Sequence, residues 1–363
     1  MRRHDTLKVL FASPPRPPAR ERARGLAPGG QAVRFLWPVL LLSVGALAAD
    51  APDVSRYDPL AIPAGVRIDP LDLEVKDARR QREIPIRVYL PPDPKPAPVV
   101  LFSHGLGGTR GGSAYLGRHW AARGYAVVAL QHPGSDDSVW KDQPLAERWV
   151  AMNQAASAKN LLLRVKDVPA VLDRLAEWNR EKNHPLAGRL DLERVGMSGH
   201  SFGAMTTQAV SGQSFAVVGS LADPRIRAAI AFSPGSPRHG DAKQAFGSVK
   251  IPWMLMTGTL DVAPIGDQDL ASRLAVYPAL PGEKYELVLH DARHSAFTDR
   301  PLPGEGAGRN PNHHRVILAL STAFWDRCLL GSEPARVWLQ GEGPRGVLEE
   351  KDRWQFEAPP ARE

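Results

Sequence analysis

Five consecutive residues, Gly-His-Ser-Phe-Gly at 199–203, have the types and spacing of a serine nucleophile on a sharp turn between a strand and a helix. The residues before them, 194–198, predict a buried strand, and residues 202–211 predict a helix. Glycines two positions on either side of Ser201 leave room for neighbouring backbone in such a turn. Ser201 would also lie at a helix N-terminus, where the helix dipole favours developing negative charge. The motif therefore predicts acyl transfer by Ser201.

The predicted nucleophile needs a general base, because a serine hydroxyl alone is weakly nucleophilic. With this motif the histidine comes last in the chain, on a loop after a strand. His294 meets this condition, since it follows the predicted strand at 285–290. His290 still belongs to that strand, and His313 and His314 begin a predicted helix. His294 is therefore the predicted base.

The imidazole must be oriented by a carboxylate that comes between the serine and the histidine in the chain. Asp261 follows the predicted strand at 251–257 across a short turn. Asp267 and Asp269 lie farther along, at the start of a predicted helix, where capping explains them. Asp261 is therefore the predicted acid.

A tetrahedral intermediate also needs two N–H groups aimed at its oxyanion. Phe202, directly after the nucleophile, supplies one of them. The segment 103–108, Ser-His-Gly-Leu-Gly-Gly, follows another buried strand, and its glycines let the backbone approach a ligand closely. The N–H of Leu106 is therefore the predicted second donor. His104 and His200 are predicted to orient these loops by hydrogen bonding.

Three other side chains are candidates for substrate contact. His132 ends a predicted strand at the same sheet edge, and it either lines the pocket or serves as a structural loop residue. Trp140 and Trp149 lie in the segment 134–158, whose lack of periodicity predicts a lid or pocket wall. No Cys/His cluster has zinc spacing, and no phosphate loop or dinucleotide fingerprint occurs, so we predict no metal and no cofactor.

The elements that must position these residues follow an alternating pattern. Residues 71–76 and 84–90 predict an antiparallel hairpin. Further predicted strands are 99–103, 125–130, 194–198, 226–232, 251–257 and 285–290, and predicted helices are 113–123, 158–180, 202–211, 267–276, 312–330 and 333–339. Alternating strands and helices predict an α/β protein with a mostly parallel sheet covered on both faces. With the turn at Ser201, this pattern indicates the α/β-hydrolase fold.

The net charge of +7 is concentrated at the N-terminus. Residues 1–34 carry eight Lys/Arg and two acidic side chains, which leaves 38 basic and 37 acidic side chains elsewhere. A nearly neutral body offers no basic surface for nucleic acid. The apolar run 35–49 after Arg34 has the length of a secretory signal peptide rather than of a membrane span. We therefore expect a periplasmic or secreted protein with no stable membrane span after cleavage.

The predicted domain organisation follows from these segments. Residues 1–49 form a leader with the signal peptide, and residues 50–68 form an extended segment before the domain. The α/β-hydrolase domain is predicted at 69–340, with the candidate lid at 134–158, and residues 341–363 form a C-terminal tail.

Four short segments together resemble the bacterial predicted dienelactone hydrolase group, which is related to platelet-activating-factor acetylhydrolases. They are Phe-Ser-His-Gly-Leu-Gly-Gly at 102–108, Gln-His-Pro-Gly-Ser at 131–135, Leu-Ala-Gly-Arg-Leu-Asp at 186–191 and Thr-Ala-Phe-Trp-Asp at 322–326. The resemblance extends over roughly residues 65–340. It implies the same triad and oxyanion donors as above, and metal-independent hydrolysis of short-acyl esters.

Two departures limit what the resemblance implies about substrate. True dienelactone hydrolases use a cysteine nucleophile, whereas this motif holds Ser201. Cutinase-like polyester hydrolases typically carry Met after the nucleophile and Trp after the sixth strand, whereas this chain has Phe202 and the sequence Ser-Pro-Gly-Ser at 233–236.

The expected function is hydrolysis of a small-molecule or lipid carboxylic ester through an acyl-enzyme. The alternatives are a serine peptidase or amidase with the same triad, and a non-catalytic binding protein. A binding protein is disfavoured because no triad member is missing from the sequence. Acyl length, the alcohol group and the oligomeric state stay open.

Overall fold

The computed structural model describes residues 57–237, 240–266, 268–301, 305 and 309–358. The leader with its predicted signal peptide, residues 50–56 of the extended segment and the last five residues of the predicted tail lie outside the described residues. Asp267, which the sequence offered as an alternative acid, also lies outside them.

Nine strands of the described chain form one mixed sheet in the order β1-β2-β4-β3-β5-β8-β9-β10-β11. These strands are β1 (Leu71–Asp77), β2 (Arg82–Tyr89), β3 (Ala97–Ser103), β4 (Ala126–Leu130), β5 (Leu190–His200), β8 (Ile226–Phe232), β9 (Trp253–Leu260), β10 (Lys284–Arg293) and β11 (Arg353–Glu357). Two short strands, β6 (Ser214–Phe215) and β7 (Gly219–Ser220), form a separate hairpin. The six central strands run parallel to one another, in the order β4, β3, β5, β8, β9 and β10. The sheet ends in antiparallel pairs, with β1 and β2 on one side and β11 on the other.

The centre of the sheet is buried on both faces, as its continuous apolar sequence predicts. Every residue of β3 and β4 is buried. Side chains alternate between the faces of a strand, so Val100 and Phe102 of β3 join one core, whereas Val99 and Leu101 join the other.

Helices cover both faces of this sheet. They are α1 (Ala114–Ala122), α2 (Leu145–Ala155), α3 (Ala158–Arg180), α4 (Phe202–Val210), α5 (Ala242–Phe246), α6 (Leu270–Leu274), α7 (Pro311–Leu330) and α8 (Glu333–Gln340). α1, α7 and α8 contribute buried side chains to the first core, and α3 and α4 contribute to the second. The predicted architecture, an α/β-hydrolase fold with an N-terminal antiparallel hairpin, is confirmed. Among the described residues, no helix combines the length and hydropathy needed to cross a bilayer.

The chain after residue 340 differs from the predicted tail, because it supplies the last strand of the sheet. β11 pairs with β10, with Trp354 opposite Leu287 and Phe356 opposite Tyr285. Both aromatic rings stack on Tyr285, at centroid distances of 5.8 and 6.1 Å. The alternation of aromatic with charged or polar residues in Arg-Trp-Gln-Phe-Glu is a strand signal that could have revealed this element.

Two helical predictions also change in the structure. The helix predicted at 267–276 is reduced to the five residues of α6. The segment 134–158, which shows no clear periodicity, contains α2 and a short 3-10 turn at Asp137–Val139. Most of α2 is solvent-exposed, which explains why it lacks the apolar stripe of a core-facing helix.

We predict that Trp354→Ala lowers the free energy of unfolding by about 2 kcal/mol, because it removes a half-buried ring from the sheet edge. Chemical denaturation followed by far-UV circular dichroism, rather than by tryptophan fluorescence, measures this change. Arg353→Ala, at an exposed position of the same strand, is the matched control and should change stability by less than about 0.5 kcal/mol. Equal stability of the two variants would contradict the prediction.

Candidate active site

Ser201 lies at the reversal between β5 and α4. Its backbone has φ 57° and ψ −116°, a conformation that non-glycine residues rarely adopt. The Ser201 N–H donates to the carbonyl of Phe232 on the neighbouring strand at 3.0 Å, which holds the turn in place. A side chain at Gly203 would overlap the carbonyl oxygen of Ser103, and one at Gly199 would overlap that of Gly203. The spacing of the glycines is therefore explained by the crossing of α4 over the end of β3.

The structure brings the three residues predicted as a triad into one hydrogen-bonded chain. His294 Nε2 lies 2.8 Å from Ser201 Oγ, and His294 Nδ1 lies 2.6 Å from Asp261 Oδ1. Thr257 donates its hydroxyl to the other carboxylate oxygen of Asp261 at 2.8 Å. Asp261 and His294 are buried, whereas Ser201 is half-buried and reachable from solvent.

Asp261 is held as a carboxylate by a second partner that the sequence did not reveal. The Arg273 guanidinium lies 3.0 Å from Asp261 Oδ1 and donates to the backbone carbonyls of Asp261 and Pro234, both at 2.8 Å. Burial by itself would raise the pKa of the Asp261 carboxyl, but the hydrogen bond with His294 and the charge of Arg273 lower it to about 2. Arg273 therefore joins the loops after β8 and β9 at the candidate site.

His200 supports the position of His294, whereas the sequence predicted that it would orient the loops of the oxyanion donors. Its Nε2 lies 2.9 Å from the backbone oxygen of His294, and the two rings are 4.7 Å apart. Burial lowers the pKa of His200 to about 3, so the ring is neutral at physiological pH and donates this hydrogen bond. The contact fixes the start of the loop that carries His294.

The segment 103–108 lies beside Ser201. A Cβ placed on Gly105 would be 3.5 Å from Ser201 Cβ. In the described part of the chain, neither the Leu106 N–H nor the Phe202 N–H donates a hydrogen bond to a protein acceptor. Both predicted donors therefore border the predicted nucleophile with their N–H groups uncommitted.

Of the two roles that the sequence left open for His132, lining the substrate pocket does not fit, because its side chain is fully buried. His132 Nε2 lies 2.9 Å from Ser103 Oγ, and His132 Nδ1 lies 2.9 Å from Asp167 Oδ2. Burial, followed by the charge of Arg164, lowers the pKa of His132 to about 4. The chain thus contains a second Ser-His-Asp arrangement, and none of its three side chains reaches solvent.

The two tryptophans predicted near the substrate occupy different environments. Trp140 donates its indole N–H to the carbonyl of Gly107 at 2.8 Å, and a side chain on Gly107 would collide with Trp140 and Met152. Trp149, on the outer part of α2, is 57% exposed. The segment 134–158 therefore packs on the loop that carries Leu106.

Comparison with known proteins adds to this geometry. A family model of platelet-activating factor acetylhydrolase, isoform II, matches residues 87–169, a stretch that includes the 103–108 loop but not the triad residues. Cutinase est1 of Thermobifida alba is 22% identical over 276 residues, which cover 75% of this chain and 74% of the relative. Cutinase 2 of Thermobifida cellulosilytica and cutinase cut1 of Thermobifida fusca are each 23% identical over 276 residues, which cover 75% of this chain and 84% and 69% of the relatives.

The fold and these similarities together indicate that the chain is an enzyme, a carboxylic ester hydrolase with the α/β-hydrolase fold. It is similar to platelet-activating factor acetylhydrolases over part of its length and to cutinases over most of it. Within the described residues, no group of three or more His, Cys, Asp or Glu side chains is arranged to hold a metal ion.

We predict that Asp261 makes stability depend on pH in acid solution. Its folded pKa of about 2 lies below the roughly 3.9 of an unfolded aspartate, so its contribution is fully present above that unfolded value and is lost as the pH falls through about 2. On acidification, the free energy of unfolding of Asp261→Asn should therefore fall by roughly 2 to 3 kcal/mol less than that of the wild type.

Urea denaturation at a series of pH values between about 5 and about 2 measures this difference. Asp142→Asn, at an exposed position, is the control and should leave the pH dependence as in the wild type. An unchanged pH dependence in Asp261→Asn would contradict the prediction.

Proposed function

We propose that this protein hydrolyses carboxylic esters with Ser201 as nucleophile, His294 as general base and Asp261 as the carboxylate that orients the imidazole. The observation that carries the proposal is the unbroken hydrogen-bonded chain from Ser201 Oγ through both ring nitrogens of His294 to Asp261. Asp261 is ionised and can only accept, so Nδ1 carries the ring proton and Nε2 presents its lone pair to the serine hydroxyl. This is the protonation state that a general base requires.

The proposed reaction has two acyl-transfer steps. Ser201 Oγ attacks the ester carbonyl while His294 Nε2 takes the hydroxyl proton, and the carbonyl electron pair becomes an oxyanion. The tetrahedral intermediate collapses when the C–O bond to the alcohol breaks, and His294 returns the proton to that oxygen. Water then attacks the acyl-enzyme with His294 as base, which releases the acid and restores Ser201.

The N–H groups of Leu106 and Phe202 are proposed to bind the oxyanion in both steps. Their support is positional, because the loop of Leu106 abuts Ser201 and Phe202 begins the helix after it. The N-terminal end of α4 adds a favourable dipole at the same point. The hydrolysis needs no bound metal in this scheme.

The proposed substrate is a short-acyl ester of a small molecule or a lipid. An acetyl group is the acyl group named in the description of the matching family model. The resemblance of four segments to the bacterial predicted dienelactone hydrolase group supports the same acyl size, although Ser201 replaces the cysteine of true dienelactone hydrolases. Trp140 and the exposed Trp149 belong to the segment proposed as the substrate wall.

Export to the periplasm or the medium is proposed from the sequence of the leader. The run 35–49 is apolar and follows Arg34, in the order of a secretory signal peptide. The mass of the mature N-terminus, measured on protein from an exporting host, tests this proposal.

We predict that Ser201→Ala abolishes both p-nitrophenyl acetate hydrolysis and labelling by a fluorophosphonate probe, with a loss of at least about 10⁴-fold in kcat. The reason is that the only hydroxyl hydrogen-bonded to His294 Nε2 in the described chain is removed. Active-site titration and mass spectrometry of the labelled peptide measure the effect.

Ser103→Ala is the matched control, because Ser103 belongs to the other Ser-His-Asp arrangement and is fully buried. This variant should keep fluorophosphonate labelling at Ser201 and should lose only stability, by about 1 to 2 kcal/mol for the hydrogen bonds of the Ser103 hydroxyl with His132 and Arg164. Labelling of Ser201→Ala at Ser103 would overturn the assignment of the nucleophile.

We also predict that activity falls with acyl length. In a series of p-nitrophenyl esters from C2 to C12, kcat/KM should be highest for the shortest chains, because an acetylhydrolase-like site is shaped for a small acyl group. A maximum at the long chains would contradict the proposed substrate class. Faster hydrolysis of a matched acetyl anilide than of the ester would instead favour the amidase alternative.

A further inference from the structure

A second buried arginine lies on the opposite side of the candidate site from Arg273. Arg164 is on α3, its side chain is fully buried, and the proposed chemistry assigns it no role. Its guanidinium donates to the backbone oxygen of His104 at 2.6 Å and to that of Gly105 at 3.3 Å. Both acceptors belong to the loop that carries the predicted oxyanion donor Leu106.

The bond to Gly105 bears directly on the direction of the Leu106 N–H. The Gly105 carbonyl and the Leu106 N–H belong to one planar trans peptide group, in which the C=O and N–H bonds point in opposite directions. The Gly105 oxygen accepts from Arg164, from the Gly108 N–H at 3.1 Å and from His104 Nδ1 at 2.6 Å. Fixing the carbonyl therefore fixes the direction in which the N–H points.

Arg164 also holds the other end of the loop through the segment after β4. It donates from Nε to Ser135 Oγ at 2.8 Å and from Nη2 to the Ser135 carbonyl at 3.1 Å. The same Ser135 carbonyl accepts the Gly107 N–H at 2.8 Å. The residues on both sides of Leu106 are thus tied to one guanidinium.

The second predicted oxyanion donor contacts the same group. The guanidinium carbon of Arg164 lies 4.6 Å from the centre of the Phe202 ring, within cation–π distance. Arg164 therefore touches the loop of one donor and the side chain of the other.

The guanidinium remains charged in this environment. Burial lowers the pKa of Arg164 to about 9, and the nearby charges of Asp167 and Asp136 oppose the shift. The hydrogen bonds named above go to uncharged oxygens, so the stability of the fold alone gives weak reason to bury a cation here. Its rigid fork, in contrast, is suited to holding several carbonyls in a fixed geometry.

We propose that Arg164 is a positioning residue for the oxyanion hole, which sets the direction of the Leu106 N–H through the Gly105 carbonyl and holds Phe202 beside it. The proposal rests on the proposed function, because it presumes that Leu106 and Phe202 bind the oxyanion. Arg164 does not touch the reacting atoms.

The test compares Arg164→Met and Arg164→Lys with the wild type in p-nitrophenyl acetate hydrolysis. We expect kcat to fall by roughly 10- to 100-fold in Arg164→Met, less than the loss of a direct donor, while KM changes less than about threefold. Arg164→Lys keeps the charge but not the planar guanidinium with its several donors. Its kcat should therefore lie between those of the wild type and Arg164→Met.

Binding of a trifluoromethyl ketone separates positioning from a loss of folding. Ser201 Oγ adds to the ketone carbon, His294 takes the proton, and the ketone oxygen becomes an oxyanion in the proposed hole. Its affinity should fall by about the same factor as kcat/KM in each variant, with thermal unfolding used to confirm that the samples are folded. An unchanged affinity in a folded variant would overturn the proposal.

Arg82→Met is the matched control, because Arg82 binds Asp167 at 2.7 Å in the same buried network but is not bonded to the 103–108 loop among the contacts described. Its kcat and its ketone affinity should stay within about threefold of the wild type. A loss equal to that of Arg164→Met would assign the effect to the network as a whole and overturn the proposal.

A folding failure of one variant and a failure of the proposed function can each be told apart from a failure of the positioning role. If Arg164→Met does not fold, Arg164→Lys carries the test, and wild-type kcat in that variant overturns the proposal. A wild-type protein that fluorophosphonate does not label at Ser201 would overturn the proposed function itself. Labelling of the wild type together with wild-type rates in the Arg164 variants would overturn only the positioning role.

Discussion

The first turn of α4 crosses the end of β3 so closely that no side chain fits between them. At this crossing the position of a Cβ on Gly203 coincides with the carbonyl of Ser103. The contact forces Ser201 into its strained backbone conformation and brings the loop after β3 against it. The geometry of both the proposed nucleophile and the proposed oxyanion hole depends on this single close approach.

Two buried arginines hold the loops that surround this crossing. Arg273 binds the loop after β8 and the loop after β9, the second of which carries Asp261. Arg164 binds the loop after β3, which carries Leu106, and the loop after β4. In both cases the guanidinium donates to backbone carbonyls of loops that have no regular structure of their own. A planar group with five donors can satisfy several such carbonyls at once, which a lysine cannot do. The two guanidinium groups thereby hold the loops at the carboxyl edge of the sheet in place.

The two Ser-His-Asp arrangements differ in the features that would make one serine the proposed nucleophile and the other a structural residue. Ser103, His132 and Asp167 are linked by distances similar to those of the proposed triad. Ser103, however, lies within a regular strand and is fully buried, whereas Ser201 lies on a strained turn and is reachable from solvent. Ser103 lacks the helix N-terminus and the uncommitted N–H groups that accompany Ser201. Solvent access and the proposed oxyanion donors, together with the hydrogen-bonded chain, therefore distinguish the candidate active site from the buried arrangement.

The sequence by itself predicted most of the elements and the turn that carries Ser201, the proposed nucleophile. Apolar runs and glycine spacing are local signals, so the parallel sheet, the hairpin and the positions of Asp261 and His294 after their strands could be predicted. The alternation of aromatic with polar or charged residues in β11 is also a local signal, although the prediction placed these residues in a C-terminal tail. These features depend on neighbours in the chain.

Only the tertiary structure decided which polar side chains meet across the molecule. Arg164 lies in the apolar stripe of α3, three residues after Leu161 and four before Val168, so its burial has a local signal. Nothing in the local sequence of Arg164 or Arg273, however, indicates which carbonyls they bind. His132 has the sequence position of a pocket residue, yet it turns inward because Asp167, 35 residues away, accepts its hydrogen bond. A buried polar group is recognised by the partners that satisfy it, and those partners come together only when distant segments pack.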